Sequence, residues 1–351
     1  MGMETLRLVV SASNLQSDVS QSSLKRAAAI LQDGGTVAFP TETVYGLGAN
    51  ALSVDAVAAI FQAKQRPRWD PLIVHIADEE MLGRVVSGLP PAANLLRRKF
   101  WPGPLTLLLP RSTNVPTLVT AGRDRIGVRM PSHPVALELI RLAGVPIAAP
   151  SANSFGHTSP TTAQHVLDDL AGRIDAVIDS GETTHGVEST VVDACEDPPL
   201  IYRPGVITLE QIRDLCPGVR LYEAEPSENQ EESMPSPGVG LRHYAPRAKL
   251  ILLEGEQLQS DFTFLMSASL AGGERVGLML PDGFPFADLA GHQGVVVYRW
   301  GKWSNQEELA HRLFAGLREL DGANVTVILC PLPASTGIGM AIRDRLLKAA
   351  K

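Results

Sequence analysis

The first part of the chain alternates short apolar runs with longer amphipathic stretches. Short, mostly apolar runs predict strands, and apolar residues spaced three or four apart predict helices. The predicted strands are VAFP, LIVHI, LTLLLP, IGVRMP, PIAAP, DAVIDSG and STVVDA. The predicted helices are SVDAVAAIFQAK, with Ser53 as its N-cap, HPVALELIRLAG, TTAQHVLDDLAG and TLEQIRDLC. This alternation predicts one α/β domain built on a sizeable sheet.

The pattern changes near residue 208. The stretch EAEPSENQEESMPSPGVG is acidic, contains Pro and Ser, and has almost no large apolar residues, which predicts a linker. A second alternating region follows, with strands KLILLE, VGLMLP, GVVVYRW and VTVILCP, and with helices near FLMSASLAG, over NQEELAHRLFAGLREL and from about Met340. It predicts a small, open, largely parallel sheet with helices on its faces. We therefore place a first domain at 14–208, a linker at 209–247 and a second domain at 248–351.

Composition narrows the class of protein. Hydrophobic residues make up 44% of the 351 residues and charged residues 20%, which is typical of a soluble globular protein. No apolar run approaches the roughly 18 residues of a membrane span, and the N-terminus does not resemble a secretory signal. The three cysteines lie far apart, which fits a reducing cytoplasm. The net charge of −7 argues against broad, unspecific nucleic-acid binding.

The stretch FPTETVYGLGAN contains Gly46 and Gly48 in the outline of a dinucleotide-binding turn, G-x-G-x-x-A. In that turn the first glycine follows its strand almost directly, and an acidic residue about 20 positions later holds the ribose. Here PTETVY separates Phe39 from Gly46, and the later position carries the basic sequence KQRPR. The spacing therefore predicts that these glycines form a turn that needs positive φ.

Basic side chains recur beside the predicted strands. Lys64 and Arg66 follow a helix, where cations also suit the negative end of the helix dipole. Arg125 and Arg129 lie beside the strand IGVRMP, and Arg203 lies in YRPG. Hydroxyl groups and backbone donors in APSANSFGHTSPT and GVESTVVD could form an anion site. Together these groups suit a polyanion such as ATP, held near strand ends.

Several long motifs carry a family resemblance. They are GGTVAFPTETVYGLG, AKQRP, PLIVHI, FWPGPLT, GVRMPSHP, APSANSFGHTSPT, GVESTVVD, RPGVIT, SPGVGLRHYAP and GIGMAIRDRLLKAA. In this order they resemble the YrdC-like L-threonylcarbamoyladenylate synthases in their long, two-domain form. The resemblance implies a YrdC-like twisted open-sheet domain followed by a smaller Rossmann-like parallel α/β domain.

The resemblance also implies an activity. L-threonine, bicarbonate or CO2, and ATP with Mg²⁺ would give threonylcarbamoyl-AMP and pyrophosphate. A downstream transferase complex would then move the threonylcarbamoyl group to tRNA, without any need for this chain to bind tRNA itself. The reaction brings two anions together, so it needs cations and alignment more than a strong base.

Site residues follow from the resemblance position by position. The L-threonine site would comprise Thr43, His75, Arg129, Ala149 and Ser189. The nucleotide-contacting positions would be Arg66, Asp70, Arg125, Ser151, Ser159, Arg203 and His243. Lys64 and Arg66 would meet the phosphates as catalytic residues, and no residue is assigned as a metal ligand. Asp70, Arg125 and Phe155 depart from the family pattern, which more often has Asn, Thr and Ser there.

The segment SPGVGLRHYAP resembles the family's flap over the pocket, and we hypothesise that it shields the adenylate from water. Two alternative functions stay open. One is an RNA-binding module with a basic groove formed by Lys64, Arg66, Arg68, Arg123 and Arg125. The other is a carbamoyl-adenylate enzyme of a maturation pathway, since hydrogenase-maturation proteins contain a related domain.

Overall fold

The computed structural model of the chain describes residues 4–223, 234, 236, 244–255, 258–284 and 293–351. These residues form two compact units. The first unit comprises the chain to Phe155, residues 159–184, and the chain from Glu188 into the linker. The second comprises residues 156–158, 185–187 and the described residues from Tyr244 onward.

The described residues of the first unit form an eleven-stranded sheet flanked by helices. Its strands are β1 (Leu6–Val9), β2 (Val37–Pro40), β3 (Tyr45–Asn50), β4 (Ile73–His75), β5 (Leu105–Pro110), β6 (Arg125–Arg129), β7 (Ile147–Ala148), β8 (Ala176–Asp179), β9 (Thr190–Asp193), β10 (Leu200–Arg203) and β11 (Arg220–Leu221). Its helices are α1 (Asp18–Gln32), α2 (Val54–Lys64), α3 (Glu79–Val85), α4 (Pro91–Phe100), a 3-10 helix (Thr117–Thr120), α5 (Pro134–Ala143), α6 (Ala163–Leu170) and α7 (Leu209–Arg213). The strands and helices predicted for this region are confirmed.

The sheet is mixed, with the strand order β1-β8-β2-β3-β7-β4-β6-β5-β9-β10-β11. β4 runs parallel to β6, whereas β5 runs antiparallel to β6 and parallel to β9. Every residue of β2, β4 and β9 is buried, because helices cover the central strands. Polar side chains on these strands are therefore held in a dry environment, where each charge needs a partner.

The helix α2 begins and ends as its sequence dictates. The hydroxyl of Ser53 accepts a hydrogen bond from the backbone N–H of Ala56, which confirms the predicted N-cap. Gln65 adopts the left-handed conformation with φ 55°, and this residue ends the helix. The reversal at Gln65 directs the chain from Lys64, the last helical residue, to Arg66.

The prediction that Gly46 and Gly48 form a turn with positive φ is wrong. Gly46 and Gly48 lie inside β3, and neither has positive φ. A Cβ at Gly48 would lie 2.7 Å from Ile147 Cγ2 and 2.7 Å from Phe39 Cε1. These positions need glycine because neighbouring strands pack too closely for a side chain, and the backbone itself is ordinary extended strand.

The second unit has a four-stranded sheet in which all the described pairs are parallel. Its strands are β12 (Lys249–Leu253), β13 (Val276–Asp282), β14 (Val295–Lys302) and β15 (Val327–Pro331), in the order β12-β15-β13-β14. Its helices are α8 (Leu258–Ala271), α9 (Gln306–Gly322) and α10 (Gly339–Ala349). The predicted small parallel sheet with helices is confirmed.

Tyr244, at the end of the predicted flap, is fully buried within the second unit. Its ring stacks on Phe314 with centroids 5.6 Å apart, and Arg345 Cζ lies 5.4 Å from the ring centroid. The hydroxyl of Thr158 donates to the carbonyl of Tyr244 at 3.3 Å. The second unit therefore fixes this end of the linker, while residues 237–243 of the predicted flap lie outside the described residues.

Candidate active site

Arg129 is fixed in the first unit by contacts from three directions. It is the last residue of β6 and is buried. Its Nη1 donates to the hydroxyl of Thr43 at 2.9 Å, and its Nε donates to the carbonyl of Gly103 at 3.3 Å. Its Nη2 lies 2.7 Å from Oε1 of Glu42. A guanidinium held in this way is preorganised, because the direction of its planar fork is set before a ligand arrives.

His75 is the neighbour of Arg129 across the sheet, since β4 and β6 pair with these two residues opposite each other. The imidazole is buried and meets the ring of Phe39 edge-on, with centroids 6.0 Å apart. Burial and the charge of Arg129 lower the pKa of His75 to about 3, so the ring is neutral near pH 7. Its Nδ1 is buried and has no hydrogen-bond partner among the described residues.

Glu42 is a buried carboxylate to which the sequence analysis gave no role. It lies in the turn between β2 and β3, directly before Thr43, and is 4% exposed. Burial alone would raise the pKa of Glu42, but the neighbouring Arg129 outweighs burial and holds the pKa at about 2. The available signal in the sequence was the position of Glu42 two residues after the apolar strand VAFP, because a glutamate that becomes buried there needs a partner.

Ser189 and Arg203 are in direct contact, although they were predicted to bind different substrates. Arg203 Nη2 donates to Ser189 Oγ at 3.1 Å, and Arg203 Nε donates to the Ser189 carbonyl at 3.1 Å. The Ser189 hydroxyl also lies 2.8 Å from Thr106 Oγ1 on β5. The end of β10 and the start of β9 thus bring a predicted threonine-site residue against a predicted nucleotide-site residue.

Lys64, Arg66 and Asp70 form a second buried polar group. Arg66 Nη2 lies 2.8 Å from Asp70 Oδ2, four residues later in the chain. Lys64 Nζ donates to the carbonyl of Ser151 at 2.6 Å and also to the carbonyl of Asn153. Lys64 therefore ties the end of α2 to the loop that carries Ser151.

Electrostatic interactions within this group place Arg203 near it as well. Burial raises the pKa of Asp70, and the charges of Arg66, Lys64 and Arg203 oppose that rise. Burial and the nearby Arg66 lower the pKa of Lys64 well below its usual range. Arg66 and Arg203 are permanently charged and outnumber the Asp70 carboxylate, and an anionic ligand would favour the protonated form of Lys64.

Ala149 and Ser151 lie on the chain that follows β7. The N–H of Ala149 donates to the carbonyl of Ile73 at 2.8 Å. Ser151 forms an isolated antiparallel bridge with Gly46 at the start of β3. The backbone of this segment is therefore held from both sides, by β3 and by the start of β4.

Ser159 and Arg125 have acidic partners. Ser159 Oγ donates to Glu188 Oε1 at 2.5 Å, and Glu188 directly precedes Ser189 in the chain. Arg125, at the start of β6, pairs with Asp193 and with Glu196, whose Oε1 lies 2.9 Å from Arg125 Nη2. Ser159 therefore lies close to Ser189. Arg125 lies at the opposite end of β6 from Arg129.

Two further expectations concern His243 and the basic groove of the RNA-binding alternative. His243 lies outside the described residues. The basic groove of the RNA-binding alternative is not formed by all its predicted members, because Lys64 is 1% exposed and Arg66 is 7% exposed. Buried cations of this kind cannot follow an RNA backbone along the surface.

Comparisons with known families cover nearly the whole chain. A family model described as "Telomere recombination" matches residues 29–205. A second, described as "Threonylcarbamoyl-AMP synthase, C-terminal domain", matches residues 207–351. The two matches follow each other along the chain.

Relatives that match over almost their full length agree with these family matches. The chain is 43% identical to a threonylcarbamoyl-AMP synthase of Pyrococcus abyssi, over 96% of each chain. It is 44% identical to a threonylcarbamoyl-AMP synthase of Bacillus subtilis, over 93% of this chain and 92% of the relative. It also resembles the crystal structure of P. abyssi Sua5 complexed with L-threonine, with TM-score 0.90 and 42% identity over 99% of this chain and 98% of the other.

Proposed function

Because this chain belongs to the threonylcarbamoyl-AMP synthase family, we propose that it condenses L-threonine, bicarbonate or CO2, and ATP into threonylcarbamoyl-AMP and pyrophosphate. The relatives are nucleotidyltransferase-type enzymes, and P. abyssi Sua5 has been crystallised with L-threonine. The substrates of this chain follow from that similarity together with the geometry of its own site.

The contact between Arg203 and Ser189 is the observation that carries the proposal. Arg203 belongs to the basic group around Asp70, and Ser189 reaches β5 through Thr106. β5 in turn pairs with β6, the strand that ends at Arg129. A triphosphate held by the basic group and an amino acid held at Arg129 would thus lie on neighbouring elements of one sheet.

Each side of the site suits one substrate. The fixed fork of Arg129 matches the carboxylate of threonine, with Thr43 and the neutral ring of His75 beside it. Arg66 and Lys64 match the phosphates of ATP, and Lys64 also positions the loop of Ser151. The carbamate formed from threonine would attack the α-phosphate, and the basic residues would offset the charge that both anions bring.

Magnesium would enter this site with ATP. No group of three or more His, Cys, Asp or Glu forms a cage for a metal within the described part of the chain. Asp70 is a carboxylate of the basic group whose Oδ1 accepts no hydrogen bond from the described residues. Mg²⁺ prefers oxygen ligands and would be held mainly by the phosphates of ATP, because Asp70 is already paired with Arg66 and lies near Lys64 and Arg203, whose charges oppose a further cation.

We expect the product to pass to a complex that transfers the threonylcarbamoyl group to tRNA in the cytoplasm. Within the described residues no helix is long and apolar enough to cross a membrane. Binding of tRNA by this chain is not required, because the reaction proposed for it involves only small substrates.

The experiment that tests the proposal measures pyrophosphate release from ATP. Release should depend jointly on threonine and bicarbonate. Arg129→Ala should raise the threonine requirement about thirtyfold, which corresponds to about 2 kcal/mol for one lost charged hydrogen bond. Arg66→Ala should instead raise the ATP requirement at least tenfold, by analogy with other charged contacts to phosphate.

Arg141→Ala provides a matched control, because Arg141 is a half-exposed arginine of α5 that faces Glu138 at 3.9 Å. It should leave both requirements unchanged. Pyrophosphate release that does not need threonine would refute the proposed reaction. Equal effects of Arg129→Ala and Arg66→Ala on both substrates would refute the division of the site.

A further inference from the structure

Glu42 and Arg129 form a buried pair inside the proposed threonine site. Their side chains are 6% and 4% exposed, and Glu42 Oε1 lies 2.7 Å from Arg129 Nη2. The backbone of Glu42 and of Ser132 also stabilises the ionised form of this carboxylate. A buried carboxylate is costly unless it is paired, and here Arg129 is the charged partner, so each of the two side chains constrains the other.

The contacts of Arg129 leave part of its guanidinium for a ligand. A guanidinium has one N–H on Nε and two on each terminal nitrogen. Nε is occupied by the Gly103 carbonyl, Nη1 gives one bond to Thr43, and Nη2 faces Glu42. One N–H on each terminal nitrogen is then left over, and either can donate to a carboxylate oxygen.

The charges around Arg129 sum to zero before a ligand binds. Glu42 is ionised above about pH 2, and it balances the permanent charge of Arg129. The adjacent His75 is neutral near pH 7. Burial also lowers the pKa of His133, which lies close enough to sense the charge of Glu42, so that ring is neutral too.

A neutral site of this kind distinguishes ligands by their charge. A plain carboxylate would bring a second negative charge to a guanidinium that Glu42 already balances, in a dry environment where repulsion is strong. A zwitterion brings its own positive ammonium group, so the total charge stays at zero. The pair therefore favours an α-amino acid over the same acid without an amino group.

We propose that Glu42 is a specificity-determining and positioning residue, which orients Arg129 and makes the site select the zwitterionic form of the amino-acid substrate. This inference rests on the proposed function, since it takes Arg129 as the group that binds the substrate carboxylate. Glu42 acts through Arg129 and through its charge, and it takes no part in bond making.

Calorimetric binding of two ligands tests the inference. The ligands are L-threonine and (R)-3-hydroxybutanoate, which is L-threonine without its amino group. The full-length wild-type protein should prefer L-threonine at least tenfold. Glu42→Gln removes the charge and keeps the shape, so it should reduce this preference at least tenfold while ATP affinity changes less than twofold.

Two further variants define the role of the charge. Glu42→Asp keeps a carboxylate and should retain most of the preference for L-threonine. Glu79→Gln is the matched control, because Glu79 pairs with Arg97 at the surface and has a 64% exposed side chain. It should leave the affinities for both ligands unchanged.

Three outcomes would overturn the inference. The first is a wild-type protein that binds both ligands equally, a result that needs no variant to fold. The second is a Glu42→Gln protein with intact ATP binding and an unchanged preference. The third is loss of preference in Glu79→Gln. If Arg129→Ala leaves threonine affinity intact, the proposed threonine site itself fails, and this result is distinct from the other three.

Discussion

Acidification should destabilise the first unit through His75. The ring is buried at the end of β4, packs against Phe39, and sits opposite Arg129. Burial and the charge of Arg129 lower its pKa from 6.5 to about 3. The unfolded chain therefore binds a proton here at a higher pH than the folded chain does. Stability is unaffected above about pH 7 and is lost as the pH falls from 6.5 towards 3.

The size of this loss follows from the two pKa values. At pH 5 the unfolded histidine is protonated and the folded one is not. This pH lies about 1.5 units below the pKa of the unfolded histidine. One unit corresponds to about 1.4 kcal/mol, so the free energy of unfolding should fall by about 2 kcal/mol between pH 7.5 and pH 5. His75→Asn cannot titrate and should lose about 2 kcal/mol less than the wild type over the same interval.

Urea denaturation of both proteins at the two pH values measures this difference. Because other buried ionisable groups are common to both proteins, they cancel in the comparison. Imidazole NMR signals assigned by their loss in His75→Asn give a direct check, since the ring should stay neutral down to about pH 4. An imidazole that titrates near 6.5, or equal acid sensitivity of the two proteins, would refute the reasoning.

Two other substitutions probe the framework of the site. Lys64→Met removes the donor to the Ser151 and Asn153 carbonyls and the amine whose protonated form a bound phosphate would favour, so pyrophosphate release should fall at least tenfold. Near-normal turnover would show that Lys64 is dispensable. Gly48→Ala places a Cβ 2.7 Å from Phe39, so thermal denaturation should show a loss of about 1–3 kcal/mol. An unchanged melting temperature would mean that β2 and β7 relax to accept the methyl group.

The periodicity of the sequence predicted the main elements because burial is nearly uniform along them. β2, β4 and β9 have no exposed residue, and each contains at least two consecutive apolar residues that mark it in the sequence, although β4 ends in His75 and β9 begins with Thr190 and ends in Asp193. β7 has only two residues and pairs with both β3 and β4, so its place between them could not follow from its own composition. Sheet order depends on such pairings between distant segments.

The glycines of β3 show why local spacing was misleading. Positive φ is a common reason for glycine, and it is the reason that the sequence suggested here. The observed reason is the close approach of Phe39 and Ile147 to Gly48, from strands that are adjacent only in the folded sheet. A constraint set by neighbours distant in sequence leaves no signal in the glycine's own surroundings.

In the candidate site, too, the strand pattern predicts where a side chain lies, whereas its partners depend on the fold. Arg125 and Arg129 lie four residues apart on β6, so strand alternation places both on the same face and treats them alike. Asp193 and Glu196 pair with the first, whereas Glu42 and Thr43 hold the second. The two arginines are distinguished by these neighbours and by burial, since the Arg125 side chain is 37% exposed and that of Arg129 is 4% exposed.

The contact between Glu42 and Arg129 contributes both to stability and to the proposed binding of the substrate. Folding buries its carboxylate beside Thr43, and this is tolerable because Arg129 lies 2.7 Å away. The same contact fixes the guanidinium that the proposed reaction needs, so the stability of the turn and the binding of the substrate depend on one interaction. A buried charge close to a predicted binding residue is therefore a useful sequence signal for a site, even when its partner can be identified only from the fold.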